Sequence, residues 1–117
     1  MENPNFQFVP ADILPQMANM KPYTVLLLKK GPQFASEEAQ KIIQAEHLPH
    51  LFKLRNEGKM LLSMPVMDNT DVAAVGIYNS LDKEELKKLT ETDPAVQKGV
   101  FTYELLNSVG MKGDTLV

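Results

Sequence analysis

Cysteine is absent from this chain of 117 residues, and only two of its residues are histidines. A chain without cysteine has no disulfide, no thiolate ligand for a metal ion and no cysteine nucleophile. An excess of basic charge is also missing, because the formal net charge at pH 7 is -3. The chain offers no electrostatic footprint for the phosphates of DNA or RNA, so we expect no nucleic-acid partner.

Long hydrophobic runs are missing as well. No stretch approaches the roughly 18 apolar residues of a membrane span, and the first residues lack the basic and apolar regions of a secretory signal. We therefore expect a cytoplasmic protein that does not bind membranes. The glycine clusters of nucleotide-binding loops and the Gly-x-Ser-x-Gly pattern of serine hydrolases are also absent. Those enzyme classes are excluded.

What remains is the composition of one globular domain, since 44% of the residues are hydrophobic. Residues 1–22 carry four prolines without a sustained hydrophobic period and are predicted to form an extended N-terminal arm. The arm contains too many apolar residues for a solvated tail, so we expect it to lie across the domain or a neighbouring subunit. Residues 23–109 form the predicted domain, and residues 110–117 a C-terminal tail.

Hydrophobic periodicity predicts the element order βαββαβ. A first helix is predicted over 36–57, with Ser36 as its N-cap and Gly58 as its stop. A second helix is predicted to open at Asp82 and to end near Thr92. The predicted strands are 23–30, 60–66, 72–79 and 100–109.

Right-handed crossovers turn this order into a ferredoxin-like α+β fold, a four-stranded antiparallel sheet with both helices on one face. The strands 23–30 and 72–79 are apolar on both sides. The sheet face opposite the helices would therefore expose an apolar patch of several hundred Å² to water. A second copy of the sheet is the economical cover, so we expect a homodimer that forms through the sheet faces.

Both histidines, His47 and His50, lie on the apolar stripe of the first predicted helix. The stripe also contains Ala39, Ile42, Ile43, Leu51 and Leu54. An imidazole there needs a hydrogen-bond partner or trapped water, because an unpaired buried polar group costs roughly 1 to 3 kcal/mol. The two histidines could share a metal ion, but no third ligand stands at a matching position. We expect no metal and no cofactor, although a helix histidine can also serve as an axial haem ligand.

Two motifs carry a family resemblance. The first is Glu46-His47-Leu48-Pro49-His50-Leu51, followed by a helix stop at Gly58; the second is Asp93-Pro94, four residues and Gly99 before the last strand. Their order on a βαββαβ frame resembles the YCII-like family over about residues 23–109. The chain departs from the family pattern at Pro49, in its arm, and at Ser63-Met64-Pro65, where a small residue with Gly-Pro is usual.

The resemblance implies a protomer that dimerises through its sheets into an α+β barrel, with a small-molecule cavity between sheet and helices. It also implies that His47 and Asp93 are the catalytic pair. The family includes a dehydrochlorinase that acts on a chlorinated hydroxyhydroquinone. Activity of that kind predicts a small cofactor-independent lyase or isomerase acting on a small aromatic or enol-type substrate.

The chemistry of the two side chains agrees with that role. Histidine takes and returns a proton near neutral pH, and a carboxylate on its other ring nitrogen fixes the tautomer and stabilises the imidazolium. The side chains predicted to contact substrate are His50, Arg55, Ser63 and Tyr78. Arg55 would hold a substrate carboxylate, although a solvated helix charge is the common role of such a residue.

A structural alternative stays open for each of these residues. Asp93 could only end the second helix and shape the turn before Pro94, while His47 is a hydrogen-bonded core residue. Pro49 could bend the helix so that His47 faces the cavity, or it could start a second short helix. The alternative function is a non-catalytic dimeric module that binds a small ligand or assists another protein.

Overall fold

The computed structural model describes residues 8–79 and 82–117, so the first seven residues of the predicted arm lie outside the description. A 3-10 helix, Leu14–Asn19, precedes the sheet, and a π-helical turn, Ile43–His47, joins the first two helices. The strands are β1 Met20–Lys30, β2 Met60–Pro65, β3 Val72–Asn79 and β4 Phe101–Met111. The helices are α1 Ala39–Ile42, α2 Leu48–Asn56, α3 Lys83–Glu91 and α4 Pro94–Gln97.

The four strands form one antiparallel sheet in the order β2-β3-β1-β4. This order confirms the predicted ferredoxin-like α+β fold. The apolar strand β1 is central and pairs with both β3 and β4. Its side chains alternate, so that Leu26 and Leu28 are buried, whereas Val25 and Leu27 are half-buried on the opposite face.

The strands β1 and β4 extend beyond their predicted bounds, β1 at its start and β4 at its end. Met20 pairs with Met111, and Pro22 pairs with Val109. The sequence predicts that the first strand begins after Pro22. In the structure β1 already begins at Met20, although its described pairing with β3 starts only at Tyr23. Within the described residues, positions 20–22 of β1 pair with β4 alone. Proline is tolerated in such an edge position.

The prediction of one continuous helix over 36–57 is wrong at its start and in its middle. Helix α1 begins at Ala39 with Glu38 in the N-cap position, and the Ser36 side chain makes no cap. The Gly31 N–H donates to the Val100 carbonyl at 2.8 Å, which holds the connection against the start of β4. A Cβ at Gly31 would lie 2.4 Å from the Gly99 carbonyl oxygen, so only glycine fits this close approach.

The predicted helix boundaries further along the chain are confirmed. Gly58 ends the helical region with a φ of 74°, a conformation that favours glycine. Asp82 caps α3, because its side chain accepts a hydrogen bond from the Glu85 N–H at 2.8 Å. Helix α3 ends at Glu91, with Thr92 in the C-cap position, as the sequence predicts.

The core between sheet and helices consists of two apolar clusters. One contains Leu28, Ala39, Ile42, Ala95, Val100 and Phe101. The other contains Leu26, Leu54, Met60, Tyr78 and Leu86. No described helix covers the opposite face of the sheet, where Leu106 is 39% exposed and Met64 is 45% exposed. Among the described helices, none has the length and apolar character needed to cross a bilayer.

Candidate functional site

The π-helical turn places His47 in the interior. The Leu48 N–H donates to the Ile43 carbonyl, five residues back instead of four, which inserts one residue into the helix. In an uninterrupted helix, Glu46 would lie about 20° from the direction of Ala39 and His47 about 80°. The inserted residue rotates the following chain by about 100°. His47 is consequently 5% exposed, whereas Glu46 lies at the rim.

Pro49 follows this turn directly. In the five-residue register, its missing N–H would have been the next donor, toward the carbonyl of Gln44. Pro49 occupies the first turn of α2, where proline is tolerated. It therefore starts a second short helix, and it does so immediately after the bend that carries His47.

Asp93 lies at the junction of α3 and α4 and is 2% exposed. Its Oδ1 accepts a hydrogen bond from the Ala95 N–H at 2.9 Å and so caps α4. Its Oδ2 lies 2.6 Å from Nδ1 of His47. One carboxylate thus makes both contacts, because one oxygen shapes the turn before Pro94 and the other contacts the histidine.

This contact defines the state of the imidazole. An ionised carboxylate only accepts hydrogen bonds, so in a neutral imidazole beside an ionised Asp93 the proton is on Nδ1 and the lone pair on Nε2. Nε2 has no protein partner among the described residues, in which no side-chain nitrogen or oxygen is both sealed from water and unpaired. Nε2 is therefore open to water. The Phe101 ring, 4.9 Å away between centroids, packs against the imidazole.

A small pocket adjoins the pair between the two core clusters. Its volume is about 20 Å³, which leaves room for about one water molecule. Three half-buried lining residues, Leu51, Ser63 and Ala74, mark the side that solvent reaches. The remaining lining residues are Leu26, Leu28, His47, Met60, Gly76, Tyr78, Thr90 and Asp93. A ligand with a ring requires side chains to move, and methionine adapts readily.

Comparison with known proteins identifies the family. Residues 23–107 match the YCII-related domain. The chain belongs to the YCII-related family. The resemblance carried by the two sequence motifs is thereby confirmed.

A solved structure gives the YCII-related chain a counterpart in fold. It is 5-chloro-2-hydroxyhydroquinone dehydrochlorinase from Burkholderia phenoliruptrix AC1100, in complex with 2,5-dihydroxybenzoquinone. The superposition has a TM-score of 0.54 at 18% sequence identity and covers 75% of this chain and 91% of the dehydrochlorinase chain. No curated protein sequence matches the chain.

Of the four predicted substrate contacts of this YCII-related protein, two line the pocket and two do not. Ser63 and Tyr78 line the pocket beside the His47–Asp93 pair. His50 is half-buried and is not among the lining residues. Arg55 lines a different groove, of about 820 Å³, which also contains residues of the sheet and of the C-terminal tail. Arg55 is eight residues beyond His47, about 12 Å along a helix axis, and is not brought to the pocket.

Sequence reasoning missed several lining residues of the YCII-related site. One of them is Gly76, inside β3, where a Cβ would lie 3.3 Å from Cε2 of Tyr78. A glycine inside a strand is a known sign that another group approaches closely, so this signal was available. Thr90 gave no such signal, and its hydroxyl donates to the Leu86 carbonyl at 2.7 Å.

Ionisable side chains lie both in the pocket and at its rim. Burial, with the charge of Asp93 as a second cause, raises the pKa of Tyr78 to about 12. Its phenol is therefore neutral at physiological pH.

At the rim, Nζ of Lys98 donates to both carboxylate oxygens of Glu46 at 2.9 Å, which ties the π-helical turn to the end of α4. The described residues contain no cluster of three or more side chains arranged as metal ligands.

His50 predicts a pH dependence of stability. Burial lowers its pKa below 6.5; the charges of His47 and Lys53 act in the same direction, and Asp93 opposes them. Since the unfolded chain then binds more protons near pH 6, this stability is complete above pH 6.5 and is lost as the pH falls. We expect the melting temperature to decrease from about pH 7.5 to 5.5, and to decrease less in His50→Gln.

Thermal unfolding followed by circular dichroism across that pH range measures the difference. The matched control is Lys53→Gln, which removes a neighbouring charge without removing the titrating ring. Parallel curves for the wild type and His50→Gln would show that His50 does not contribute to the pH dependence.

Proposed function

We propose that this YCII-related protein is a small enzyme of lyase or isomerase type that needs no cofactor. In this proposal, His47 and Asp93 transfer protons to and from a small aromatic or enol-type substrate. The observation that supports it is the buried 2.6 Å contact between Nδ1 of His47 and Oδ2 of Asp93, which leaves Nε2 open to the pocket. A carboxylate behind a histidine is the arrangement that general base catalysis uses.

The proposed step begins with Nε2 taking a proton from a ring carbon. That carbon is the sp3 carbon next to a carbonyl in the keto form of the ring, so the electron pair of the broken C–H bond forms a carbon–carbon double bond while the π pair of the carbonyl moves onto its oxygen to give an enolate. The resulting imidazolium is stabilised by Asp93. In an elimination, chloride leaves with its bonding pair, so that hydrogen chloride is lost overall. In an isomerisation, the same proton returns to another carbon.

The substrate class follows from the family and from the fold counterpart. The counterpart is a dehydrochlorinase by name and was crystallised with a dihydroxyquinone. Its fold is shared, and the chemistry of the pocket here is compatible with a ring that carries oxygens. We therefore assign hydroxylated rings that can form enols or quinones as the first substrates to test.

The experiment measures proton exchange and chloride release. Purified protein is incubated in D2O with 2,5-dihydroxybenzoquinone, and loss of the ring proton signal is followed by NMR. In parallel, 5-chloro-2-hydroxyhydroquinone is supplied under anaerobic conditions, and chloride is measured with an electrode. The proposal expects protein-dependent exchange or chloride release above the rate in buffer. Binding of these compounds without either reaction would contradict it.

A non-catalytic ligand-binding module is the second candidate. The observation that favours it is the cap of α4, because Oδ1 of Asp93 accepts a hydrogen bond from the Ala95 N–H and folding alone can account for the buried aspartate. Calorimetric titration with 2,5-dihydroxybenzoquinone separates the two functions. The module binds the compound and leaves its ring proton in place, whereas the enzyme exchanges that proton.

We propose further that the protein is a homodimer formed through the uncovered sheet face. On this face Val25, Leu27, Val75 and Ile77 are half-buried and Leu106 is partly exposed, so the central surface of the sheet is apolar. A contiguous apolar surface of this kind is unusual on a monomer. A stable interface buries roughly 800 Å² per partner, which a four-stranded sheet can supply.

The variant Leu106→Lys tests the dimer. A lysine within the apolar interface would have to be desolvated without a partner, so we expect the dimer dissociation constant to rise at least about tenfold. Sedimentation equilibrium measures it. Phe52→Lys is the matched control, since Phe52 is 57% exposed on α2, away from the sheet face. Equal dimerisation of both variants and the wild type would place the interface elsewhere.

A further inference from the structure

The wall of the pocket formed by the sheet carries two hydroxyl groups that have no partner among the described residues. Tyr78 is 2% exposed, and its hydroxyl makes no hydrogen bond to any described residue. The Ser63 hydroxyl, on the neighbouring strand β2, also has no partner within the described ranges. Both residues line the pocket and neither hydroxyl is sealed from water, so both are available to water or to a ligand.

The two walls of the pocket carry different chemical groups. His47 and Asp93 come from the helical layer, whereas Ser63 and Tyr78 come from the sheet. A molecule between the two layers would meet a proton acceptor on one side and hydroxyl donors on the other. Gly76 lies between them on the sheet wall, where the absence of a side chain leaves a flat surface beside the Tyr78 ring.

The charge of Asp93 makes a donor at this place necessary. When a ring carbon loses a proton next to a carbonyl group, the electron pair moves onto the carbonyl oxygen, which becomes negative. A second negative charge close to Asp93 is unfavourable unless a fixed donor stabilises it. A buried phenol that stays neutral is a donor of that kind, because burial, and after it the charge of Asp93, disfavours the ionised form of Tyr78.

We propose that Tyr78 donates a hydrogen bond to the substrate oxygen that becomes negative during proton transfer, with Ser63 as a second donor. The ligand class is therefore a planar ring whose oxygen is an enolate or a phenolate in its bound form. This inference rests on the proposed function for its catalytic meaning. Its binding component, recognition of a ring oxyanion by Tyr78, is measurable without turnover.

The probe is 4-nitrophenol, whose anion absorbs at longer wavelength than its neutral form. Absorbance titration at several pH values gives the dissociation constants of both forms for the wild type, Tyr78→Phe and Ser63→Ala. We expect the wild type to bind the anion more tightly than the neutral form. In Tyr78→Phe, affinity for the anion should fall roughly 10- to 100-fold, as expected for loss of a hydrogen bond to a charged group.

Tyr103→Phe is the matched control. Tyr103 is a second tyrosine with a pKa raised to about 12, but its hydroxyl donates to Oε1 of Glu91 at 2.9 Å and lies outside the pocket. Its removal should leave the affinity for the anion within about threefold of the wild type. Near-ultraviolet circular dichroism verifies that each variant is folded, and Ser63→Ala supplies a second test if Tyr78→Phe does not fold.

The outcomes separate this inference from the proposed function. If the wild type does not bind the anion, or if Tyr78→Phe binds it as tightly as the wild type, Tyr78 is not the donor. That result leaves proton exchange by His47 untouched. If Tyr78→Phe loses affinity for the anion while the wild type exchanges no substrate proton, the donor is established and the proposed enzyme is not.

Discussion

Replacing His47 by glutamine should lower the rate of substrate proton exchange by about 10²- to 10⁴-fold, the usual contribution of a general base. Glutamine has no group that takes up a proton near neutral pH. Its amide N–H can still donate to Oδ2 of Asp93, so the buried carboxylate keeps a partner. The protein should remain folded, and exchange measured by NMR in D2O reports the loss.

The control for this prediction is His50→Gln, which makes the same substitution three residues along the chain. His50 is not among the residues that line the pocket. We expect this variant to exchange substrate protons within a few-fold of the wild type. Equal loss of activity in both variants would remove the special role of His47, and unfolding of His47→Gln alone would indicate a structural histidine.

Replacing Asp93 by alanine should lower the free energy of unfolding by about 2 to 4 kcal/mol. Loss of a helix N-cap contributes about 1 kcal/mol, and leaving the buried Nδ1 proton of His47 without an acceptor contributes about 1 to 3 kcal/mol. Asp93→Asn should be milder, since an asparagine oxygen can still accept from the Ala95 N–H. Urea unfolding at pH 7 measures all three proteins.

The chain provides a matched control in Asp82, which caps α3 through the same type of bond and is exposed. Asp82→Ala loses a cap and nothing else, so its cost should be about 1 kcal/mol. The difference between the two alanine variants measures the contact with His47. A difference near zero would mean that the buried pair adds no stability, and the proposed orientation of the imidazole would lose its support.

Much of the fold follows from local chemistry that is visible in the sequence. The apolar run of β1, the stop at Gly58 and the cap at Asp82 each act over a few residues, and each is where the sequence predicts it. The family match, which the motifs around His47 and Asp93 suggested, is confirmed over residues 23–107. These features depend on side-chain pattern and turn chemistry alone.

The remaining features depend on contacts between distant parts of the chain. The start of α1 is delayed because Gly31 is held against Gly99 and Val100, and neither contact is apparent from local propensity. The π-helical turn differs from a regular helix by one inserted residue. The projection of an uninterrupted helix already places His47 on the apolar stripe, and the structure confirms that this side chain is buried, but no local signal marks the inserted residue.

The sequence predicts the two side chains His47 and Asp93, but it does not predict the full set of residues that form the pocket beside them. His47 and Asp93 were named from the family motifs, and their catalytic roles remain predictions. Ser63 and Tyr78 line the pocket, whereas Arg55 lies in a separate groove because a helix carries it too far along its axis. Side chains such as Thr90 reach the pocket only through the packing of α3 on the sheet.

The two oxygens of Asp93 have a consequence for how this family can diverge. One oxygen caps a helix and the other holds the histidine, so selection for folding alone preserves the aspartate. The histidine has no second task of that kind, because any buried N–H donor can replace its Nδ1. A lineage without the proposed reaction would therefore lose His47 first and keep Asp93, and an intact aspartate beside an amide is the expected sign of a family member that does not carry out the proposed reaction.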